Sequence, residues 1–219
     1  MTPRGCALAC AMLVACGTPP PPEAAPPISL VALRASAPRL DGELDEQDWT
    51  TTARTARFVD AIEGESTTPY TEARAVYDDE GLWLALYAAD EDVRSTDRMG
   101  ALLRAPDGAT FIVEIDPTGH VRWHAPSSAA MPLPEGVTAA VDADATLDID
   151  DLEDEEWVAE IHVPWRALGM DGPGDVRANF FRRDQPRGSL MRSLAWTPWR
   201  EHASAAIETL GVIRCTRGS

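Results

Sequence analysis

Hydrophobic and polar positions alternate most clearly over Glu72–Asp90, and this pattern predicts a β-hairpin. Its first half alternates apolar with charged residues up to a turn at Asp78–Gly81. Its second half, Leu82–Ala89, is apolar on both faces, and its flanking acidic residues restrict it to the length of a strand. Because such a strand must be covered on both sides, we expect it in the middle of a sheet that packs against a second layer.

Shorter segments with similar patterns predict the rest of an all-β domain. We expect Asp45 to cap a helical turn that brings Trp49 to the core. We expect Arg94–Gly108 to form a loop and Pro164–Met170 to form a connector. Short strands separated by Asp, Gly and Pro, without a long amphipathic helix, predict an antiparallel β-sandwich. The further strands are expected at Ile28–Leu33, Ala56–Ala61, Thr110–Asp116, His120–Ala125, Val137–Leu147, Trp157–Val163, Val176–Asp184, Leu194–Trp196 and Ile207–Arg214.

The charge of the chain excludes one class of partner. The 219 residues include 19 basic ones, all of them arginine, against 36 acidic ones, for a formal net charge of −17. Such a charge repels nucleic acid and anionic membrane surfaces, so we expect no nucleic-acid partner. After the N-terminus, no segment reaches the roughly 18 apolar residues that a membrane helix requires.

The N-terminus predicts a lipoprotein. Residues 1–15 have the charged start and short apolar run of a secretory signal peptide, and Leu13–Cys16 resembles the bacterial lipobox, in which the cysteine is lipidated. We therefore expect lipidation at Cys16, a proline-rich tether over 16–27 and a domain over 28–214. The expected location is a bacterial membrane, in particular the outer membrane, with the domain in the periplasm or on the cell surface. An ordinary signal peptide with chance cysteines is the alternative.

The expected removal and acylation of cysteines also predicts the disulfide content. Cys6 and Cys10 leave with the signal peptide and Cys16 carries the lipid, so Cys215 remains alone. The mature protein is then expected to have no intrachain disulfide.

Several of these segments, taken in order, carry a family resemblance. They resemble the family 9 carbohydrate-binding modules and their relatives in the DOMON-like group of β-sandwiches. The resemblance implies a non-catalytic domain that stacks a sugar ring between two tryptophans and hydrogen-bonds its hydroxyl groups. The matching segments are Leu40–Trp49, Ala73–Ala88, Phe111–Pro117, Trp157–Leu168, Val176–Phe181 and Trp196–Gly211.

The resemblance carries over only part of a sugar site. Trp199, followed by Arg200, matches one half of the tryptophan clamp. Arg122 stands where the family has a sugar-binding arginine, His124 where it has an asparagine, and Phe181 where it has a glutamine. The resemblance also implies a second tryptophan just before Thr110 and an acid early in the following strand. No aromatic residue lies at 104–107, and ungapped matching puts Ile112 at the acid, so half of the clamp is missing and we expect weak or degenerate sugar binding.

Strand alternation alone also predicts a polar outer face. Arg122 and His124 point away from Val121 and Trp123, and Phe181 shares its face with Arg177, Asn179 and Arg183. An aromatic surface beside planar donors suits a saccharide, and the arginines suggest a uronate-bearing one. The alternative is a solvated face whose arginines pair with acids elsewhere.

A metal and other functions stay open. Asp142, Asp144, Thr146, Asp148, Asp150 and Glu153 have the spacing of a calcium loop, although Leu147 stands where the turn requires glycine, so an acidic hairpin tip is the alternative to calcium. No catalytic motif is recognisable, and we expect no enzyme. Two hypotheses compete with sugar binding: a structural or interaction lipoprotein that has lost the site, and a haem-binding DOMON-like module. The ligands available to a haem are Met99, Met170, His124 and His162.

Overall fold

The computed structural model describes residues 27–36, 38–126, 130–149, 154–199 and 209–216, and nearly all its regular structure is β. One short helix, α1 (Gln47–Thr51), and one 3₁₀ turn (Trp165–Leu168) interrupt the strands. The strands are β1 (Ser29–Arg34), β2 (Val59–Asp60), β3 (Thr71–Tyr77), β4 (Gly81–Ala89), β5 (Arg98–Arg104), β6 (Thr110–Ile115), β7 (Val121–His124), β8 (Ala130–Met131), β9 (Thr138–Asp144), β10 (Glu156–Pro164), β11 (Val176–Asp184), β12 (Arg192–Ala195) and β13 (Gly211–Thr216).

These strands form one curled, mixed sheet that closes into a β-sandwich. Its order is β8-β7-β6-β5-β11-β13-β1-β3-β4-β10-β9, with β12 pairing β11 and β2. Most pairs are antiparallel, as the sequence predicts, but β1 pairs in parallel with both β13 and β3. The all-β sandwich is therefore confirmed, with β1 and β13 joining its two halves.

The core lies between the two halves of the sheet. One continuous cluster contains Leu84 and Leu86 of β4 together with Ala101 of β5 and Phe180 of β11. Phe180 and Trp196 hold their ring centroids 5.7 Å apart within it. Burial of this much apolar surface is the main force that holds the halves together.

The predicted central hairpin is confirmed, with one correction to its packing. β3 and β4 pair in register around the Asp78–Gly81 turn, and β4 lies inside the sheet between β3 and β10. Trp83, however, is only partly buried, against His162, with ring centroids 4.2 Å apart. On the outer face of β4, Trp83 and Ala85 pack in a small cluster with Trp49 of α1 rather than beneath a full layer.

Two local predictions are wrong and a third holds only in part. Arg94–Gly108 is not all loop, because β5 occupies Arg98–Arg104 and pairs with β6 and β11. The expected strand at Ala56–Ala61 is reduced to β2, and α1 begins after Glu46 without a side-chain cap from Asp45. Gly100 within β5 hides the strand signal, since glycine is depleted in strands.

A buried carboxylate docks the segment before α1 onto the sheet. Glu160 accepts hydrogen bonds from the Trp49 indole at 2.6 Å and from the backbone N–H groups of Asp41 and Gly42 at 3.0 and 2.8 Å. Gly42 has a positive φ of 90°, and a Cβ there would lie 2.2 Å from the Asp142 nitrogen. Trp49 is thus buried as the sequence predicts.

No helix among the described residues is long and apolar enough to span a bilayer. The signal peptide, Cys16 and most of the tether lie outside the described residues, so the predicted lipidation and processing stay predictions.

Candidate functional site

The candidate site is the outer face of β11, β5, β6 and β7, which we call the arginine face. These strands are consecutive neighbours in the sheet. Phe181 lies opposite Gly100, Gly100 opposite Glu114, and Glu114 opposite Arg122. Residues directly opposite in antiparallel strands share a face, so Phe181, Glu114 and Arg122 lie in one row across the sheet.

Glu114 is the centre of this face. The residue is 4% exposed, and its Oε1 lies 3.5 Å from Arg122 Nη1 while its Oε2 lies 3.4 Å from Arg183 Nη1. His124 Nε2 lies 3.8 Å from the same Oε2. One carboxylate is therefore shared by two guanidinium groups and an imidazole, all of them at long pairing distances.

The aromatic part of the site adjoins this cluster. Phe181 and Trp199 hold their ring centroids 5.5 Å apart, and the Arg183 guanidinium carbon lies 5.4 Å from the centre of the Phe181 ring. Phe181 is only 1% exposed, whereas Trp199 is partly buried. Phe181 is thus a support beneath Trp199 and Arg183, and Trp199 offers the exposed aromatic surface.

A glycine allows Phe181 to lie over the neighbouring strand. A Cβ at Gly100 would lie 2.1 Å from the Val113 carbonyl oxygen and 3.0 Å from Cζ of Phe181. The absence of a side chain at Gly100 therefore leaves the space that the Phe181 ring and the close β6 backbone occupy.

The segment that carries Trp199 is fixed to β11 by a buried amide. The Asn179 side chain donates to the Thr197 carbonyl at 2.7 Å and accepts from the Thr197 N–H at 3.0 Å. The Trp199 N–H donates to the Ala61 carbonyl at 2.6 Å. Strand alternation predicts that Asn179 faces outward, and it does, but the Thr197 segment covers it.

The structure brings the four predicted site residues onto one face. Arg122 and His124 both lie next to Glu114, and Phe181 contacts both Trp199 and Arg183. Their role in ligand binding stays a prediction. Arg200, the neighbour of Trp199 in the expected clamp, lies outside the described residues.

Sequence matching missed two residues of this site. Ungapped matching puts the family's acid at Ile112, but Ile112 packs with Leu102 and Phe181, and the acid of β6 on that face is Glu114. Glu114 shares the parity of Ile112 in the strand, so strand alternation could have found it. Strand alternation places Arg183 on the outer face, but nothing in the sequence indicates that it reaches across β5 to Glu114.

Acidic side chains converge elsewhere as well. Among the described residues, one group of three has carboxylate oxygens within 4.8 Å of one another: the buried Asp90, Asp97 and Asp184. The fully buried Arg182 donates to Asp90 at 2.7 Å and to Asp184 at 3.1 Å. The cluster thus already contains a cation that balances part of its charge.

The predicted calcium loop is only partly described. Asp150 and Glu153 lie outside the described residues. The Asp148 carboxylate accepts a hydrogen bond from the Ser95 N–H at 3.1 Å, so it already has a partner within the chain. Calcium binding at this turn stays a prediction.

A separate pocket of about 670 Å³ lies away from the arginine face and is lined in part by His162, Trp165 and Met170. His162 Nδ1 lies 3.2 Å from the Gly136 carbonyl oxygen, and its Nε2 is packed against Gly81, 2.4 Å from where a Cβ would be. Burial lowers the pKa of His162. With Nε2 against the backbone, His162 has no open nitrogen for a haem iron in this arrangement. Met99, another candidate ligand, is buried in the core.

The arginine face has the chemistry of a polar ligand site. Arg122 and Arg183, whose side chains are 38% and 39% exposed, each carry further N–H donors, and the Glu114 carboxylate, which is 6% exposed, lies between them. Hydroxyl or anionic oxygens can accept hydrogen bonds from these donors, and Trp199 adds an apolar surface beside them.

Comparison with solved structures supports the fold described above. No family model matches this chain, and a search of curated proteins found no match. Among solved structures, a Bacteroides uniformis protein with a provisional assignment as carbohydrate-binding has a TM-score of 0.65 at 14% identity, over 86% of this chain and 99% of its own. A family 9 carbohydrate-binding module from Caldicellulosiruptor kristjanssonii, in complex with cellotriose, has a TM-score of 0.61 at 12% identity, over 87% and 95% of the two chains.

A structure of a family 9 module from the same organism in complex with glucose gives a TM-score of 0.58 at 11% identity, over 87% of this chain and 97% of its own. At these identities the likeness concerns the fold. The fold of this chain is the β-sandwich of family 9 carbohydrate-binding modules, as the sequence resemblance implied.

Proposed function

We propose that this protein is a non-catalytic saccharide-binding domain whose ligand lies on the arginine face beside Trp199. The observation that carries the proposal is the shared carboxylate: Glu114 lies between Arg122 and Arg183, within reach of His124, and next to the Phe181–Trp199 pair. The named complexes of the similar structures with cellotriose and glucose support a saccharide as the ligand class.

The binding expected from this site is weak. One stacked aromatic contributes about 0.5–1.5 kcal/mol beyond the area it buries, and each exposed hydrogen bond about 1 kcal/mol. After the entropy cost of holding a ligand, the dissociation constant is expected in the millimolar range.

Calorimetry with neutral and acidic oligosaccharides tests the proposal. We expect Trp199→Ala to abolish measurable binding and Trp199→Phe to retain part of it, because phenylalanine keeps an aromatic face for the ring. Leu190→Ala is the matched control, since Leu190 is an apolar side chain that is 90% exposed. Binding that survives Trp199→Ala would place the site elsewhere.

We also propose that the domain is anchored to a bacterial membrane, in particular the outer membrane, through lipid on Cys16. Cys16→Ser is expected to move the protein from the membrane fraction to the soluble fraction. A membrane fraction that does not change would contradict the anchor. Processing before Cys16 would also be visible as a lipid-modified N-terminal peptide by mass spectrometry.

A structural or interaction lipoprotein is the second candidate. The observation that favours it is the incomplete clamp: residues 105–109 form a tight turn, with the Ala105 N–H donating to the Ala109 carbonyl at 2.8 Å, and no aromatic residue stands there. If the wild-type protein binds no saccharide, this second candidate replaces the first. A Soret band in the purified protein would support the haem alternative instead.

A further inference from the structure

We infer that the ligand of the arginine face is an acidic saccharide, one whose sugar carries a carboxylate or a sulfate group; this rests on the proposed function. The protein as a whole has a formal net charge of −17. Among the described ion pairs of this face, however, arginines outnumber acids. The arginines are Arg98, Arg122 and Arg183, and the acids are Glu114 of β6 and Asp116 directly after β6.

The surplus positive charge is concentrated at Glu114. Arg122 and Arg183 contact its two different oxygens, at 3.5 and 3.4 Å, so one negative charge is shared between two positive ones. Neither guanidinium forms a bidentate pair at these distances. Each is more than a third exposed and keeps N–H donors that can reach an anion above Glu114.

Arg98 does not add to this surplus, because its Nη2 lies 3.6 Å from Asp116 Oδ2 and so belongs to a local pair. A neutral sugar would use the aromatic surface and the hydroxyl contacts but would leave the surplus charge at Glu114 without a partner.

Paired ligands test the inference. The uronate arm compares a galacturonate trimer with the same trimer after reduction of its carboxyl groups to alcohols. The sulfate arm compares a sulfated chondroitin tetrasaccharide with its desulfated form. We expect the acidic member of at least one pair to bind about tenfold or more tightly than its neutral partner, because charge-assisted hydrogen bonds are the stronger ones.

Substitutions on the arginine face test which residues cause the preference for the acidic saccharide. Arg122→Gln and Arg183→Gln are each expected to reduce the ratio of acidic to neutral affinity by about tenfold, whereas Glu114→Gln should raise this ratio because it removes the competing carboxylate. Arg34→Gln is the matched control, since Arg34 is an exposed arginine of β1 that pairs with Asp79 outside this face. Thermal melting of every variant verifies folding.

The outcomes separate this inference from the proposed function. Equal affinity for both members of both pairs would overturn the acidic ligand and leave a neutral saccharide site in place. A preference that survives Arg122→Gln and Arg183→Gln would also overturn it, because the anion would then bind elsewhere. No binding of any saccharide, neutral or acidic, would overturn both the inference and the proposed function.

Discussion

Two neighbouring arginines of β11 belong to different ion clusters, one buried inside the sandwich and one partly exposed on its outer face. Arg182 points into the sandwich, is fully buried and donates to Asp90 at 2.7 Å and to Asp184 at 3.1 Å. Arg183 points outward, has a side chain that is 39% exposed and lies 3.4 Å from Glu114. The inner cluster has short contacts within the chain, whereas the outer one has long contacts and open donors. We interpret the first as structural and the second as the place for a ligand.

The inner cluster also joins the two halves of the fold. Arg182 Nη1 donates to the Ala89 carbonyl at 2.9 Å, so an arginine of β11 holds the end of β4. Asp184 also lies 2.5 Å from Arg192 of β12. Breaking a buried pair by removing one partner leaves uncompensated charge, which is among the most destabilising changes in proteins.

The largest effect is expected from Arg182→Met. It should lower the free energy of unfolding by about 3–5 kcal/mol, because Asp90 and Asp184 lose a cation in a buried site. Arg183→Met, the matched change at the next residue, should lower it by less than about 1 kcal/mol, as is usual for exposed pairs. Urea denaturation measures both, and losses of similar size would contradict the distinction between the two clusters.

A pH-dependent effect is expected from Asp97 in the inner cluster. Burial is the main cause that raises the pKa of Asp97 to about 6. The neighbouring Asp90 and Asp184 also raise it, whereas hydrogen bonds from the Arg94 and Gln185 N–H groups lower it. Since this folded-state pKa lies above the ordinary value of 3.8, the stability contributed by protonated Asp97 is present below about pH 4 and is lost as the pH rises through 6.

We therefore expect the wild type to lose up to about 3 kcal/mol of stability relative to Asp97→Asn between pH 4 and about 6.5. Urea denaturation across this range gives the difference. Asp107→Asn, at an exposed turn, serves as the control and should show no such change. A constant difference between the wild type and Asp97→Asn would show that Asp97 titrates normally.

A smaller effect is expected from Gly100→Ala on the outer side. The new Cβ would clash with the Val113 carbonyl and press on the Phe181 ring, at a cost of about 1–3 kcal/mol, and it should also weaken saccharide binding. Gly172→Ala is the control, because a Cβ at Gly172 meets no atom within 4 Å. Thermal melting measures the stability of both variants, and calorimetry measures their saccharide binding. If Gly100→Ala were as stable as Gly172→Ala, the backbones of β5 and β6 would not approach each other closely at Gly100.

Much of the fold could be predicted because its signals are local. The hairpin of β3 and β4 has its turn residues and its alternation within one segment, and β11 begins and ends where the sequence predicts. β5 was missed because Gly100 and the apolar residues on both of its faces leave no period of two. Its strand conformation depends on pairing with β6 and β11, which local propensity does not describe.

The candidate site could be predicted only in part because its contacts cross strands. Alternation placed Arg122, His124, Phe181 and Arg183 on the outer face. The burial of Phe181 depends on Trp199 and Leu210, which lie further along the chain. The inward position of Arg182 follows from its parity with Phe180, but a buried arginine requires acidic partners that only the tertiary structure brings to it.

The most direct test of the central claim is to map the ligand on the protein by NMR. Titration of the ¹⁵N-labelled protein with the saccharide that binds best in calorimetry should shift the amide signals of Glu114, Arg122 and Arg183 and the indole signal of Trp199. The signals of His162 and Trp165, at the separate pocket, should stay unchanged. Shifts confined to that pocket, or scattered over the surface without Trp199, would contradict a saccharide site on the arginine face.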